Sequence, residues 1–191
     1  MQVLKRWAMA LGLITAVLAT TGCGTISTIT KLENGAGGEA MRMWDRWVEA
    51  EGDIAVATTW EAKVKPGLKV SEVEEILRLV AVEHNIRDVG ILPLSKELEA
   101  RSGKKEPLLT IYQFCSPTIA RNMTDFSPHM AAYMPCRVSL VERPDGIWLY
   151  TLNMDMMVKM GRKLPSPLKE QAWQVREAMW ALLHRSANGE F

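Results

Sequence analysis

From residue 39 onward, apolar and polar positions follow two rhythms, one near 3.6 residues and one of 2. The first helical stretch spans 39–51. Met43, Trp44, Trp47 and Val48 share a face there, Arg42, Asp45, Arg46 and Glu49 fall elsewhere, and Gly52 ends it. Over 54–64 the rhythm changes: Ile54, Val56, Thr58, Trp60, Ala62 and Val64 alternate with their neighbours, which predicts a strand. Pro66-Gly67 turns the chain. Ser71 followed by Glu74 then predicts a capping box, ahead of a helix that buries Val73, Ile76, Leu77 and Val80 and ends near Asn85, with His84 in its last turn. Pro93 makes 88–94 an edge strand or loop, 95–102 a short helix follows, and 108–115 is a strand.

Residues 111–137 form the central stretch of the chain. Ser116 and Pro117 predict a helix start, with Ile119, Ala120 and Met123 on its apolar face. Ser127-Pro128 begins a second short helix with Met130, Ala131 and Met134 inward, stopped by Pro135. Strands at 137–143 and 147–153 flank Pro144-Asp145-Gly146, a hairpin signal, and Trp148, Tyr150 and Leu152 share a face of the second arm. Ser166-Pro167 opens a last helix with a stripe of Leu168, Ala172, Val175, Met179 and Leu182. Trp173 and Trp180 lie near its opposite side, and the Trp44/Trp47 helix is their expected partner. The predicted architecture is α+β: one domain over 54–191, an antiparallel sheet gripped by helices, preceded by a helical arm over 39–53.

The segment before the arm changes the picture from a free domain to an anchored one. Lys5 and Arg6 precede an apolar run from Trp7 to Ala19, too short to span a bilayer. Thr20-Thr21-Gly22-Cys23 resembles a bacterial lipobox, although Thr20 stands where Leu is usual. Residues 1–22 are read as a lipoprotein signal, Cys23 as the acylated residue, and the Gly- and Thr-rich 23–38 as a flexible tether. Each buried acyl methylene contributes about 0.8 kcal/mol, so several chains attach a protein without a spanning helix. Gly24 after the cysteine, in place of Asp, points to the outer membrane, facing the periplasm. The formal charge of +1 becomes −1 when Lys5 and Arg6 are removed. Apart from Lys104-Lys105 there is no basic run, so nucleic acid is excluded as a partner.

The stretch FCSPTIARNM, followed by PHMAAYMPCRVSLVERPDG, resembles the bacterial domain-of-unknown-function 302 family. Phe114, Cys115 and Pro117, then Pro135-Cys136 and the strand from Arg137, carry the resemblance, which spans roughly 64–153 with the last helix included. It implies a small α+β domain whose antiparallel sheet grips helices, similar to the TATA-binding-protein-like fold, without implying DNA binding. The family has no established activity, so the resemblance supplies no catalytic residues.

Three groups of residues carry candidate chemistry. Of three cysteines, lipidation of Cys23 leaves Cys115 and Cys136. A disulfide between them would add roughly 3 kcal/mol of stability in an oxidising envelope. Alternatively, Cys115 before a helix start favours thiolate, giving a redox or soft-metal pair, or both cysteines simply fill core. Met154, Met156, Met157 and Met160, with His129, are compatible with a Cu(I) site, and the favoured reading is flexible core filler following a strand. Trp60, Tyr112, Phe114 and Trp148 are a candidate pocket for an apolar or planar ligand such as non-covalent haem; with no CxxCH, covalent haem attachment is excluded. G-x-S-x-G, P-loop, Rossmann, HExxH and CxxC signals are absent. Two functions follow as expectations: a binding or redox-accessory module centred on Cys115 and Cys136, or an interaction protein docking an envelope partner through its tryptophan-bearing helices.

Overall fold

A strand residue's side chain points to the face opposite its neighbour's, and the central strands here show that alternation in their burial. The computed structural model describes residues 30–191, so the signal segment, Cys23 and the first part of the tether lie outside the described residues. The elements are α1 (Ala36–Glu49), α2 (Ile54–Thr58), β1 (Thr59–Lys63), α3 (Val70–Glu83), β2 (Arg87–Leu92), α4 (Leu94–Ser102), β3 (Leu109–Cys115), α5 (Pro117–Phe126), a 3-10 turn (Pro128–Tyr133), β4 (Cys136–Arg143), β5 (Gly146–Leu152), α6 (Met154–Lys159) and α7 (Leu168–Asn188). The sheet is antiparallel with strand order β1-β5-β4-β3-β2.

One face of the sheet presents Trp60, Tyr112, Phe114, Val138, Leu140 and Leu149, all buried. The pairings Tyr112 with Val138 and Leu140 with Leu149 bring them side by side. Helix α3 lays Val73, Ile76, Leu77 and Val80 on this face, and α7 lays Ala178, Met179, Leu182 and Leu183 there. The hydroxyl of Tyr112 donates to the Glu74 carboxylate on α3, so the deepest phenol in this layer has a partner. A smaller cluster of Met123, Val158, Leu168 and Ala172 joins α5, α6 and the first turns of α7.

Several sequence expectations change locally. The alternation over 54–64 yields a strand only from Thr59. Asp53 caps a short helix by accepting from the Ala55 N–H, and the Thr58 and Thr59 hydroxyls bond back to carbonyls four residues earlier. The reach-back at α3 comes from Glu72 to the Lys69 N–H, two residues before the Ser71/Glu74 pair, and this leaves Glu74 for Tyr112. Residues 30–38 are docked rather than a free tether. Leu32 bridges Arg162, the Lys163 N–H donates to the Lys31 carbonyl, and buried Glu33 pairs with Lys169 at 2.8 Å. The Lys169 and Asn34 hydrogen bonds hold the Glu33 carboxyl below its ordinary range.

The tryptophan pairs do not pack on each other. Trp44 and Trp47 contact one another, with ring centroids 5.2 Å apart, while Trp180 meets Trp60 edge-on at 5.0 Å. Helix α1 is turned so that Ala36 and Glu39 are buried, and Met41, Trp44, Trp47 and Val48 are exposed.

The reason for that turn is a polar hub at Asn153. Its side-chain oxygen accepts from the Met156 N–H and caps α6, its amide donates to Glu39 at 3.0 Å, and its backbone N–H donates to the Thr58 carbonyl at 2.8 Å. Burying Glu39 requires these partners, and Arg42 supplies another. Asn153→Ala is therefore expected to lower stability by about 1–3 kcal/mol, through loss of the cap and of a partner for Glu39. Urea unfolding followed by circular dichroism measures the change.

Candidate functional site

The chain leaves the sheet at Cys115 and returns at Cys136. Between them α5 and the 3-10 turn fold over the end of the sheet, because α5 is amphipathic and buries Met123 toward α6 and α7. The excursion does not close down completely. It leaves a cavity of about 940 Å³ bounded by β3, β4 and β5, from their ends in to Ile111, Ser139 and Tyr150, by α5, the 3-10 turn and α6, and by the N-terminal half of α7. That volume lies toward the upper end of the roughly 300–1,000 Å³ typical of ligand pockets. Phe114, Ile119, Phe126, Leu164, Met123, Met130, Met134, Met154 and Met157 make the lining predominantly apolar. Tyr150 and Ser139, and the two cations Arg137 and Arg162, are among its polar groups.

Two clamps hold the walls. Arg176 on α7 grips Asp155 on α6 through both carboxylate oxygens, at 3.3 and 3.0 Å, and Lys159 reaches the same carboxylate at 2.9 Å. Burial works to raise the Asp155 carboxyl, but the Arg176 and Lys159 bonds outweigh it and hold it below the usual range. Asn122 on α5 donates to Gln171 on α7 at 3.0 Å.

Both cysteines line this cavity, and they are free thiols. The expected disulfide is therefore not formed. Cys136 sits opposite Phe114 in the β3–β4 register, one step from Cys115, so the two side chains leave the strands toward opposite faces. The expected low thiol pKa at Cys115 is also corrected. Burial raises it, and the helix begins with Pro117, which has no N–H to offer an anion. Cys136, packed against the main core, is pushed up to about 11, first by burial and then by the charge of Cys115, with Arg137 opposing. Both groups are protonated at neutral pH.

The methionine group divides. Met154 and Met157 reach the cavity; Met156, Met160 and the exposed His129 do not line it. Among the described residues no cluster of three His, Cys, Asp or Glu side chains is placed to hold a metal. Of the expected aromatic pocket, Phe114 alone lines the cavity. Trp60 and Tyr112 are core beneath α3 and α7, and Trp148 stacks on Tyr150 at the hairpin beside Lys63 and Arg143. The candidate haem pocket built on those four residues is thus not assembled. Sequence reasoning also missed α6 as a wall. Its signal was present: Asn153 as a cap, Asp155 in the first turn, and Lys159 four residues on.

A five-stranded antiparallel sheet with two helices on one face and a helical excursion enclosing a cavity at its end defines a small α+β domain built around a hollow. The chain belongs to the family described as domain of unknown function DUF302, whose model matches residues 60–186. The crystal structure of an uncharacterized conserved protein DUF302 from Bacillus stearothermophilus has the same fold, with a TM-score of 0.55 and 16% identity over 68% of this chain and 98% of that one. No curated protein matches the chain. The family match takes in the stretch from 64 to 153 and most of α7, as the motifs imply, and reaches further back into β1, to Trp60.

The raised thiol gives a pH dependence with a definite sign. A group whose folded pKa lies above its unfolded value contributes stability below the unfolded pKa, and that contribution is lost as pH rises through the folded one. For Cys136 the window runs from its ordinary value of 9.0 to about 11. The urea midpoint is expected to fall across that range, and to fall less steeply in Cys136→Ala. The residual slope belongs chiefly to Tyr112, which burial and Glu74 also push upward.

Proposed function

We propose that this protein is a non-enzymatic binding module that takes a small, largely apolar molecule into the cavity at the end of its sheet. The observation that carries this reading is the cavity itself: about 940 Å³ and walled predominantly by apolar side chains. Cys115 and Cys136 contribute soft, polarisable walls. As protonated thiols they are poorly suited to nucleophilic or redox exchange, which favours the binding reading over the redox-accessory one. Soft-metal binding at the pair would have to displace both protons. Nile red, a neutral apolar dye, is expected to bind the full chain with one saturable site. Ala120→Trp fills the cavity from α5 and should weaken binding tenfold or more at unchanged helix content, whereas Trp148→Ala, outside the cavity, should leave it unaltered. Equal binding by the parent and Ala120→Trp overturns the reading.

A second reading concerns location. The lipobox-like sequence ending in Cys23 supports an acylated chain on the periplasmic side of the outer membrane. The outward face of α1 supports a role for the bilayer beyond tethering: Trp44 is 57% exposed, Met41 59% and Val48 55%. Met41, Trp44 and Val48 follow helical spacing, and tryptophan is favoured at the headgroup level. With Cys23 only a short segment before Ala36, the bilayer is the apolar surface within reach. In vesicles of phosphatidylethanolamine carrying the acylated full chain, brominated acyl chains are expected to quench a fraction of the tryptophan fluorescence. Trp44→Phe with Trp47→Phe should abolish that fraction. Quenching that survives the substitution removes the bilayer from this face and leaves it to a protein partner.

A further inference from the structure

The charge distribution around the cavity narrows the ligand class. Arg137 and Arg162 are the charged side chains among its described lining residues, and no Asp or Glu lines it. The acidic residues that neutralise other cations of the domain lie elsewhere. Asp155 is taken by Arg176 and Lys159, Glu33 by Lys169, and Asp145 by Lys63.

Arg137 is the second residue of β4, exposed, and near enough to Cys136 for its charge to act on that thiol. Arg162 follows α6 and is also exposed. Its guanidinium lies over the ring of Phe126, 4.3 Å from the centroid, and Phe126 is itself a cavity wall. Neither guanidinium makes an ion pair with a carboxylate among the described residues. The hollow is therefore apolar in its walls and cationic at its solvent side.

Guanidinium is fully protonated at any physiological pH and matches a carboxylate with two parallel N–H donors. An apolar neutral molecule would gain nothing from the pair. An inorganic anion would gain nothing from the methionine-rich walls.

We infer that the ligand is an apolar carboxylate, a molecule of the acyl-chain acid class, with its hydrocarbon body in the cavity and its carboxylate held by Arg137 and Arg162. This rests on the binding reading given above and names the ligand class for the same cavity.

The test compares two ligands that differ only in the head group. Isothermal titration of the full chain with sodium dodecanoate and with dodecan-1-ol, each below its aggregation concentration, is expected to give one equivalent for both. The acid should bind at least about tenfold more tightly, the scale of a charge-assisted hydrogen bond. Arg137→Met with Arg162→Met preserves side-chain bulk and should bring the two affinities together by weakening the acid alone. Arg137→Lys with Arg162→Lys should retain most of the preference. Equal affinities in the parent overturn the head-group assignment and leave the apolar binding reading standing, and this comparison needs no variant to fold. A preference for the acid that persists in the double Met variant also overturns the assignment. Binding of neither ligand overturns both.

Discussion

Helix α7 is too long for the sheet it covers, and the rest of the molecule is arranged around that mismatch. It has 21 residues, which at about 1.5 Å per residue is some 31 Å, whereas β5, which it crosses, has 7. Its C-terminal half fills the main core with Ala178, Met179, Leu182 and Leu183. Its N-terminal half carries Leu168 and Ala172 past the sheet, where apolar side chains would meet water unless something else covered them. The α5 excursion and α6 provide that cover. Because they are short, they cover it incompletely, and the cavity is the space they leave.

Such a hollow persists only if its walls cannot slide inward. The polar contacts described above serve that end more than they add stability. The Arg176–Asp155–Lys159 group fixes α6 against α7, the Asn122–Gln171 bond fixes α5, and Asn153 fixes α6 to both α1 and the end of α2. Each is at least partly shielded from solvent, where a hydrogen bond holds geometry more firmly than at the open surface. Salt bridges at the hairpin, such as Lys63 with Asp145, are exposed and contribute little by comparison.

Much of the scaffold was legible in the sequence because period is a local property. The stripe Val73, Ile76, Leu77 and Val80, the alternation over β3, and the turn at Pro144-Asp145-Gly146 each fix an element regardless of the fold around it. The misreadings have a shared physical origin. Trp44, Trp47 and Val48 look like a buried face, yet the satisfaction of Glu39 by Asn153 turns that face outward, a choice depending on a residue far along the chain. Trp60 and Tyr112 look like pocket walls, yet with α3 and α7 laid on them they are core. The two cysteines lie one register step apart on neighbouring strands, and the face each points to follows from that register, which spacing alone does not give. The lining of the cavity by Tyr150 on β5 and by Arg162 and Leu164 in the loop between α6 and α7 has no signature along the chain.

The excursion departs from Cys115 and rejoins the sheet beside it, at Cys136. Its two ends are thus nearly fixed in space by strands that would pair as they do whatever lay between them. Residues 116–135 form a panel hung on a hairpin, and lengthening, shortening or rewriting that panel alters the hollow without asking the sheet to change register. Selection on what the hollow admits can therefore act on one short segment while the scaffold is inherited intact.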